Sequence, residues 1–357
     1  LKILHVISDL RRGGRERQLA VLNSFSNPEI EHHIIAFHTI RINYIEEYNL
    51  KINFVSKNKL KRFRDILSYA KEKKIDLIHT WGNPETIYSL PASLFLGIKL
   101  LNGSVRHGIR LNTFSHLFRS YIVRHSKYLV SNSAAGLRAN KVKINNLRHF
   151  ILYNGIEEKF FTSYNHKKRA ALLSNYNLPE NTVIFISIAT FIPFKDYFTP
   201  LNALSTLKSE GINFFYIIVG WGRMESEIRN LIEKLNLSDR VQIFNEYPDI
   251  PDLLSISEIM IHSSLGEGCS NAILEAKSAG CVVVASDTGG TREIIGSRDL
   301  LFEYRNEEDL TSKIKTAIQA YNSDPRIREK IQEETREKFS VDNYYKNYIE
   351  IVKRIIK

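Results

Sequence analysis

Two carboxylates, Glu267 and Glu275, stand with seven residues between them in the stretch from Ile259 to Ile295, IMIHSSLGEGCSNAILEAKSAGCVVVASDTGGTREII. That spacing matches no metal-ligand pattern. The first carboxylate belongs to a glycine-bracketed loop, Leu265-Gly266-Glu267-Gly268, and the second to the start of a run of good helix formers. A helix N-terminus offers backbone N–H groups and the positive end of a dipole to an anion such as a diphosphate. Carboxylates beside it accept hydrogen bonds from a hydroxyl-rich ligand. The same residues also fit a surface loop followed by an exposed helix Glu, and on residue types alone both readings stay open.

Three kinds of element must position this pair. Ile259 to Ile261, ending in His262-Ser263-Ser264, has strand length; Ser270-Asn271 opens a helix over Ala272 to Ala279, with Gly280 where a left-handed cap belongs. Cys281 to Ala285 is apolar on both faces, as a buried parallel strand is, and ends at Asp287-Thr288-Gly289-Gly290. The unit is βαβ followed by another helix start. Ligands of open parallel sheets bind beyond the carboxyl ends of the strands, where both glycine loops fall.

EGCSNAILEA followed by GCVVVASDTGGTREII resembles the donor-site signature of the retaining glycosyltransferases of family 4, the glycosyl transferases group 1. The resemblance implies an α/β chain of the GT-B fold, two doubly wound Rossmann-like domains with an interdomain cleft. It implies that Glu267 meets the donor sugar, that Glu275 holds the ribose hydroxyls, and that Gly268, Cys269, Ser270 and Asn271 line the donor. Gly13 and Gly14, in the strand-to-helix turn Arg11 to Arg17, match the family's Gly-Gly-x-Glu segment, with Glu16 as its Glu. His107, before Gly108, matches a His near the donor sugar and acceptor. Lys195 matches the cation on the departing diphosphate, but Thr190 stands where the family has Arg; Arg223 or Arg292 could supply that missing charge. Tyr247 falls in a loop that borders the nucleobase in relatives. The implied catalytic residues are Glu267, Lys195 and His107, acting on a UDP- or GDP-linked sugar with no metal, no other cofactor and no side-chain nucleophile.

The chain has 357 residues, 43% hydrophobic and 25% charged, which is room for two ordinary domains. The expected boundaries are 1–160 for an acceptor domain, rejoined by a last helix at 341–357, and 161–340 for the nucleotide-sugar domain. The 341–357 helix carries Tyr344, Tyr345, Tyr348, Ile349, Val352 and Ile355 on one stripe. Gly220-x-Gly222 lacks the third glycine of a dinucleotide fingerprint because Glu225 occupies that place, so hydride chemistry is weakly supported. Walker loops, zinc spacings and Asp-x-Asp motifs are absent from the sequence.

Charge is uneven. Residues 1–160 hold 26 Lys and Arg against 12 Asp and Glu, and the remainder 24 against 27. The excess gathers in Arg11 to Arg17, in Lys57 to Arg64, and in Arg110 to Tyr128, where Phe114, Leu117, Phe118, Tyr121 and Ile122 recur at helical intervals. These runs fit solvated helix faces or attraction to an anionic membrane surface. No apolar run reaches spanning length and two cysteines make no disulfide framework, so the expected place is the cytoplasm, peripheral on the inner face of the membrane. The expected activity is transfer of a sugar from the nucleotide to a glycan or lipid-linked acceptor in surface polysaccharide synthesis, with no nucleic acid partner. The alternatives are a nucleotide-sugar hydrolase or epimerase of the same fold, or a non-catalytic polyanion binder.

Overall fold

The computed structural model describes residues 1–11, 13–25, 27–38, 44–56, 58–109, 114–162, 166–245 and 249–357. They form two compact units, Leu1–Gly155 with Val341–Lys357, and Ile156–Ser340. In the second unit the entering and leaving chain run side by side, Ile156 bridging Ser340 and its N–H donating to Phe339 O at 2.8 Å.

The first unit contains β1 (Lys2–Ile7), α1 (Gly14–Ser24), β2 (Glu31–Ala36), β3 (Ile52–Phe54), α2 (Lys59–Lys73), β4 (Leu77–Thr80), α3 (Asn83–Leu96), β5 (Lys99–Val105), α4 (Phe114–His125), β6 (Tyr128–Ser131), α5 (Ala134–Ala139) and β7 (His149–Ile151). Its parallel sheet has the order 3-2-1-4-5-6-7, so the direction of winding reverses between β1 and β4. The second unit contains α6 (His166–Asn175), β8 (Val183–Ile188), α7 (Phe198–Ser209), β9 (Phe214–Val219), α8 (Glu225–Lys234), β10 (Val241–Phe244), α9 (Ile250–Ile256), β11 (Ile259–His262), α10 (Asn271–Ser278), β12 (Val282–Ser286), α11 (Thr291–Ile295), β13 (Leu301–Phe302), α12 (Glu307–Ser323) and α13 (Ile327–Phe339). Here the order is 10-9-8-11-12-13 and the reversal lies between β8 and β11. Both sheets are doubly wound, and their interior strands are buried on both faces, which is why they read as unbroken apolar runs.

The last helix, α14 (Val341–Ile356), belongs to the first unit: Tyr344, Tyr348, Ile349, Val352 and Ile355 enter a core with Ile3, Ile7, Leu19 and Leu22. Lys99 Nζ donates to the Ile355 and Ile356 carbonyls at 2.6 and 2.9 Å, satisfying the helix end. Beneath α14 lies a buried imidazole stack. Trp81 Nε1–H donates to His5 Nδ1 at 3.2 Å, so the His5 proton sits on Nε2 and donates to His32 Nδ1 at 2.9 Å; His79 Nδ1 meets the Tyr348 hydroxyl at 3.2 Å.

In α4 Val123 enters the core, while Tyr121 is 56% exposed. Residues 110–113 and the side chains of 114–119 lie outside the description. In α2, Arg62 is no surface charge: it is buried over the rings of Phe37 and Tyr88, 4.6 and 5.6 Å from their centroids.

Burial holds His5 and His79 well below the ordinary imidazole range and His32 at about 4, so all three fold in the neutral form. The unfolded chain takes up these protons first, and the stability they contribute is present above pH ~6.5 and lost as the pH falls from there toward 4. At pH 5 the first unit should lose about 2 kcal/mol for each imidazole held neutral. Urea unfolding followed by Trp81 fluorescence in a Trp221→Phe background reads this, and a pH-independent midpoint between 7 and 5 would contradict it.

Candidate active site

In the second unit the loops after β8 and β11 leave the carboxyl ends of the two strands that flank the reversal, and they are stitched together by backbone. Lys195 bridges Ser264 in antiparallel register, the Leu265 N–H donates to Phe194 O at 2.9 Å, and the Asp196 N–H donates to Ser263 O at 3.1 Å. Asp196 Oδ1 accepts from the Phe198 and Thr199 N–H groups at 3.1 and 3.2 Å, capping α7, while Oδ2 accepts from Ser263 Oγ at 3.1 Å. Lys195 is therefore held in a frame, and its Nζ contacts Glu267 Oε1. His262, buried at the end of β11, puts Nε2 3.3 Å from Glu267 Oε2 without the geometry of a hydrogen bond.

Burial pushes the Lys195 ammonium down to about 7, while the adjoining Glu267 carboxylate favours the charged form. Burial, and then the charge of Lys195, push His262 well below the ordinary imidazole range. The local set is thus one cation, one carboxylate and a neutral imidazole.

The far side of the Glu267 loop is clamped from β12. Ser286 Oγ donates to Ser264 O at 2.8 Å and accepts from the Ser264 N–H at 3.0 Å, and Thr288 Oγ1 donates to the same carbonyl at 2.6 Å. The Gly290 N–H donates to Glu267 O at 2.9 Å. Gly289 has φ +57° and lies so close that a Cβ there would collide with the Glu267 carbonyl, which is why the segment needs glycine. Gly268, Cys269 and Ser270 are buried in the loop and Asn271 is half-buried at the first turn of α10. Glu275 is buried on the next turn, and Gly280, at φ +81°, closes the helix.

Thr190 is exposed on the loop after β8, which packs against the turn after β9: the Phe191 N–H donates to Trp221 O at 2.8 Å and the Met224 N–H to Phe191 O at 3.2 Å. Arg223 is exposed in that turn, with no ion-pair partner among the described residues, whereas Arg292 is engaged by Asp287, with Nε 3.1 Å from Oδ1. Of the two candidates for the charge absent at Thr190, Arg223 is the one placed beside that loop. Tyr247 lies outside the described residues.

The first unit carries its candidates at its own reversal. Gly13 and Gly14 form the turn from β1 into α1, the Gly13 N–H donating to Arg11 O at 2.7 Å. Glu16 is buried and paired to Arg15 at 2.7 Å; Arg15 also reaches Glu85, 3.5 Å away, whose carboxylate accepts from the Ser8 N–H and hydroxyl at 2.7 Å each. The Glu16 carboxylate thus fixes the turn. His107 is exposed beyond the end of β5, two strands from β1. Residue types alone did not single out His262 or Asp196. The available signal for His262 was a polar residue closing an apolar strand at its carboxyl end. Among the described residues no group of three His, Cys, Asp or Glu is arranged to hold a metal ion, and no helix is long and apolar enough to cross a membrane.

Two doubly wound parallel-sheet units, the second with a cation and a carboxylate joined at its point of reversal, make this an α/β chain of the GT-B glycosyltransferase class. Residues 168–338, within the second unit, match the family described as glycosyl transferases group 1, and the chain is a glycosyltransferase. It is 24% identical to the N-acetyl-alpha-D-glucosaminyl L-malate synthase of Bacillus anthracis, over 80% of this chain and 77% of that one. It is 25% identical, over 88% and 89%, to the N-acetylgalactosamine-N,N'-diacetylbacillosaminyl-diphospho-undecaprenol 4-alpha-N-acetylgalactosaminyltransferase of Campylobacter jejuni. Among solved structures, Anabaena HepE in complex with UDP-glucose superposes with a TM-score of 0.85 at 18% identity, covering 99% of both chains.

The electrostatics of the site make one expectation measurable. In long-range ¹⁵N–¹H spectra His262 should stay neutral as the pH falls from 7 to ~5.5, and Lys195→Met should move its pKa upward by removing the second cause of its depression. Titration of His262 near the ordinary imidazole value in the unaltered chain would contradict the geometry.

Proposed function

We propose that the chain is a retaining transferase of glycosyltransferase family 4, moving a sugar from a UDP- or GDP-linked donor to a lipid-linked glycan in bacterial surface polysaccharide synthesis. The observation that carries this reading is the Lys195 ammonium held against the Glu267 carboxylate beside the start of α10. Breaking a sugar–phosphate bond requires positive charge on the departing diphosphate, which Lys195 and the first N–H groups of α10 supply, with Arg223 as the second cation. Glu267 accepts from the sugar hydroxyls and Glu275 from the ribose hydroxyls. The bond from C1 to the phosphate oxygen breaks, the acceptor oxygen bonds C1 on the same face, and the departing phosphate takes the acceptor proton. Such a step needs no metal and no protein nucleophile. His107 is assigned to the sugar and acceptor. Support for the donor comes from the UDP-glucose complex of HepE, and for the acceptor from the diphospho-undecaprenol in the name of the Campylobacter relative. The basic first unit suits peripheral association with the inner face of the cytoplasmic membrane.

The experiment is a screen of UDP- and GDP-sugars for thermal stabilisation, followed by product analysis with and without a lipid-linked acceptor. Acceptor-dependent release of the nucleotide with retained anomeric configuration is expected; release that ignores the acceptor, or epimerised nucleotide sugar, would replace the transferase reading. Lys195→Ala should lower turnover on the order of a hundredfold. Affinity for free UDP should fall as the pH rises through about 7, where the buried Lys195 loses its proton, and Lys195→Arg should flatten that profile.

Substitution separates the carboxylates. Glu275→Ala should weaken nucleotide and nucleotide sugar alike, each lost charged hydrogen bond contributing about 1.5 to 3 kcal/mol. Glu267→Ala should depress turnover with a smaller effect on free UDP. Calorimetry showing equal losses for UDP and the UDP-sugar in Glu267→Ala would remove Glu267 from the sugar.

A further inference from the structure

Between Thr86 and Ile156 the chain has ten Lys and Arg and no Asp or Glu. This acid-free segment runs through α3, β5, α4, β6, α5 and β7, and it also carries most of the exposed large apolar side chains of the first unit. Of the excess of 14 positive charges in residues 1–160, ten lie in this segment; outside it the fold neutralises or buries much of the rest: Arg11 pairs with Asp9, Arg15 with Glu16 and Glu85, and Arg62 lies over rings. The acid-free segment has no such internal acids.

The topology gathers its apolar side chains at one edge. β5, β6 and β7 are parallel neighbours, so the residues preceding each strand lie toward the amino-terminal edge of the sheet, with β5 and β7 about 10 Å apart across it and the start of β7 level with Asn102 of β5. Leu94 and Phe95 end α3 there at 75% and 77% exposure, and Leu90 and Ile87 continue the same exposed stripe one and two turns back. Leu147, 80% exposed, and Ile144 precede β7. Leu147 is presented by a built turn: Asn145 Oδ1 accepts from the Leu147 N–H at 2.9 Å, and Asn145 O accepts from the Arg148 N–H at 2.9 Å. Around these prongs stand exposed Arg124 and Lys127 before β6, and Lys141, Lys143 and Arg148 before β7. Arg62 over Tyr88 aligns α2 with α3, which puts the exposed Lys71 and Lys74 at the same edge.

We propose that this edge docks on an anionic bilayer, Leu94, Phe95 and Leu147 entering the boundary between headgroups and acyl chains while the surrounding cations meet the headgroups. Exposed apolar prongs in a predominantly basic field, with Glu72 and Asp76 as the exposed acids at its α2 margin, fit a surface that is apolar within and negative outside, which an acidic protein patch or a second, equally basic copy of this chain is not. The inference deepens the peripheral membrane association proposed above and rests on it only for the acceptor.

The test is flotation of the full chain with vesicles of phosphatidylcholine alone and of phosphatidylcholine with phosphatidylglycerol, with UDP-sugar-induced thermal stabilisation measured in parallel. The intact chain should float only with the anionic vesicles, and less as salt rises. Leu94→Ser with Phe95→Ser and Leu147→Ser should cut partitioning by about tenfold or more. Lys141→Ser with Lys143→Ser and Arg148→Ser should cost about fivefold for each cation. All these side chains are exposed, so both variants should keep the nucleotide-sugar response of the intact chain. No flotation of the intact chain, unchanged flotation of the variants, or a dimer in light scattering that the Leu94 and Phe95 substitutions dissociate would overturn the proposal. A retained nucleotide-sugar response in that case leaves the transferase reading standing; flotation as expected with no nucleotide-sugar response sinks that reading and keeps the membrane contact.

Discussion

The candidate site depends on one piece of backbone pairing, Lys195 against Ser264. Those residues follow β8 and β11, the adjacent strands between which the sheet reverses its winding. Helices that leave neighbouring strands in opposite directions open a crevice at that point, and the short antiparallel bridge closes its floor. Once the bridge exists, Asp196 caps α7, Ser286 and Thr288 fasten the Ser264 carbonyl, and the Lys195 and Glu267 side chains have little choice but to meet. The resulting pair keeps an exposed margin, 15% for the Lys195 side chain and 26% for that of Glu267, so each group remains open to exchange its protein partner for a ligand of matching charge.

The two units use the same topology for different ends. In the first, the groups at the reversal converge on one carboxylate oxygen: Arg15 spans Glu16 and Glu85, and Glu85 Oε1 also takes both donors of Ser8. A buried carboxylate accepting that many bonds is a structural anchor. In the second unit the cation is held by one carboxylate, and the imidazole beside it is neutral. The family match and the GT-B architecture agree with this division, since the match spans 168–338.

Much of the fold could be read in the sequence because its strands are buried on both faces and therefore written as apolar runs, Cys281 to Ala285 being an example, and because Gly280 and Gly289 occupy backbone conformations that few other residues adopt. The pair of glutamates was legible through its motif. The contact of Lys195 with Glu267 was not, because it depends on strand order, which no local pattern encodes. His262 was hidden by the apolar run it terminates. Arg62 misled, because periodicity cannot show that a guanidinium will stack over two rings; nor can it show which of Tyr121 and Val123 turns inward in α4. The edge formed by Leu94, Phe95 and Leu147 likewise exists only after β5, β6 and β7 are aligned.

The most direct test of the account is a crystal structure of the chain with a UDP-sugar. The account predicts the diphosphate against Lys195 Nζ and the first N–H groups of α10, the ribose hydroxyls on Glu275, the sugar on Glu267, and the Lys195–Glu267 contact exchanged for these. A nucleotide bound away from the loops after β8 and β11, or bound there with the Lys195–Glu267 pair still closed, would contradict it.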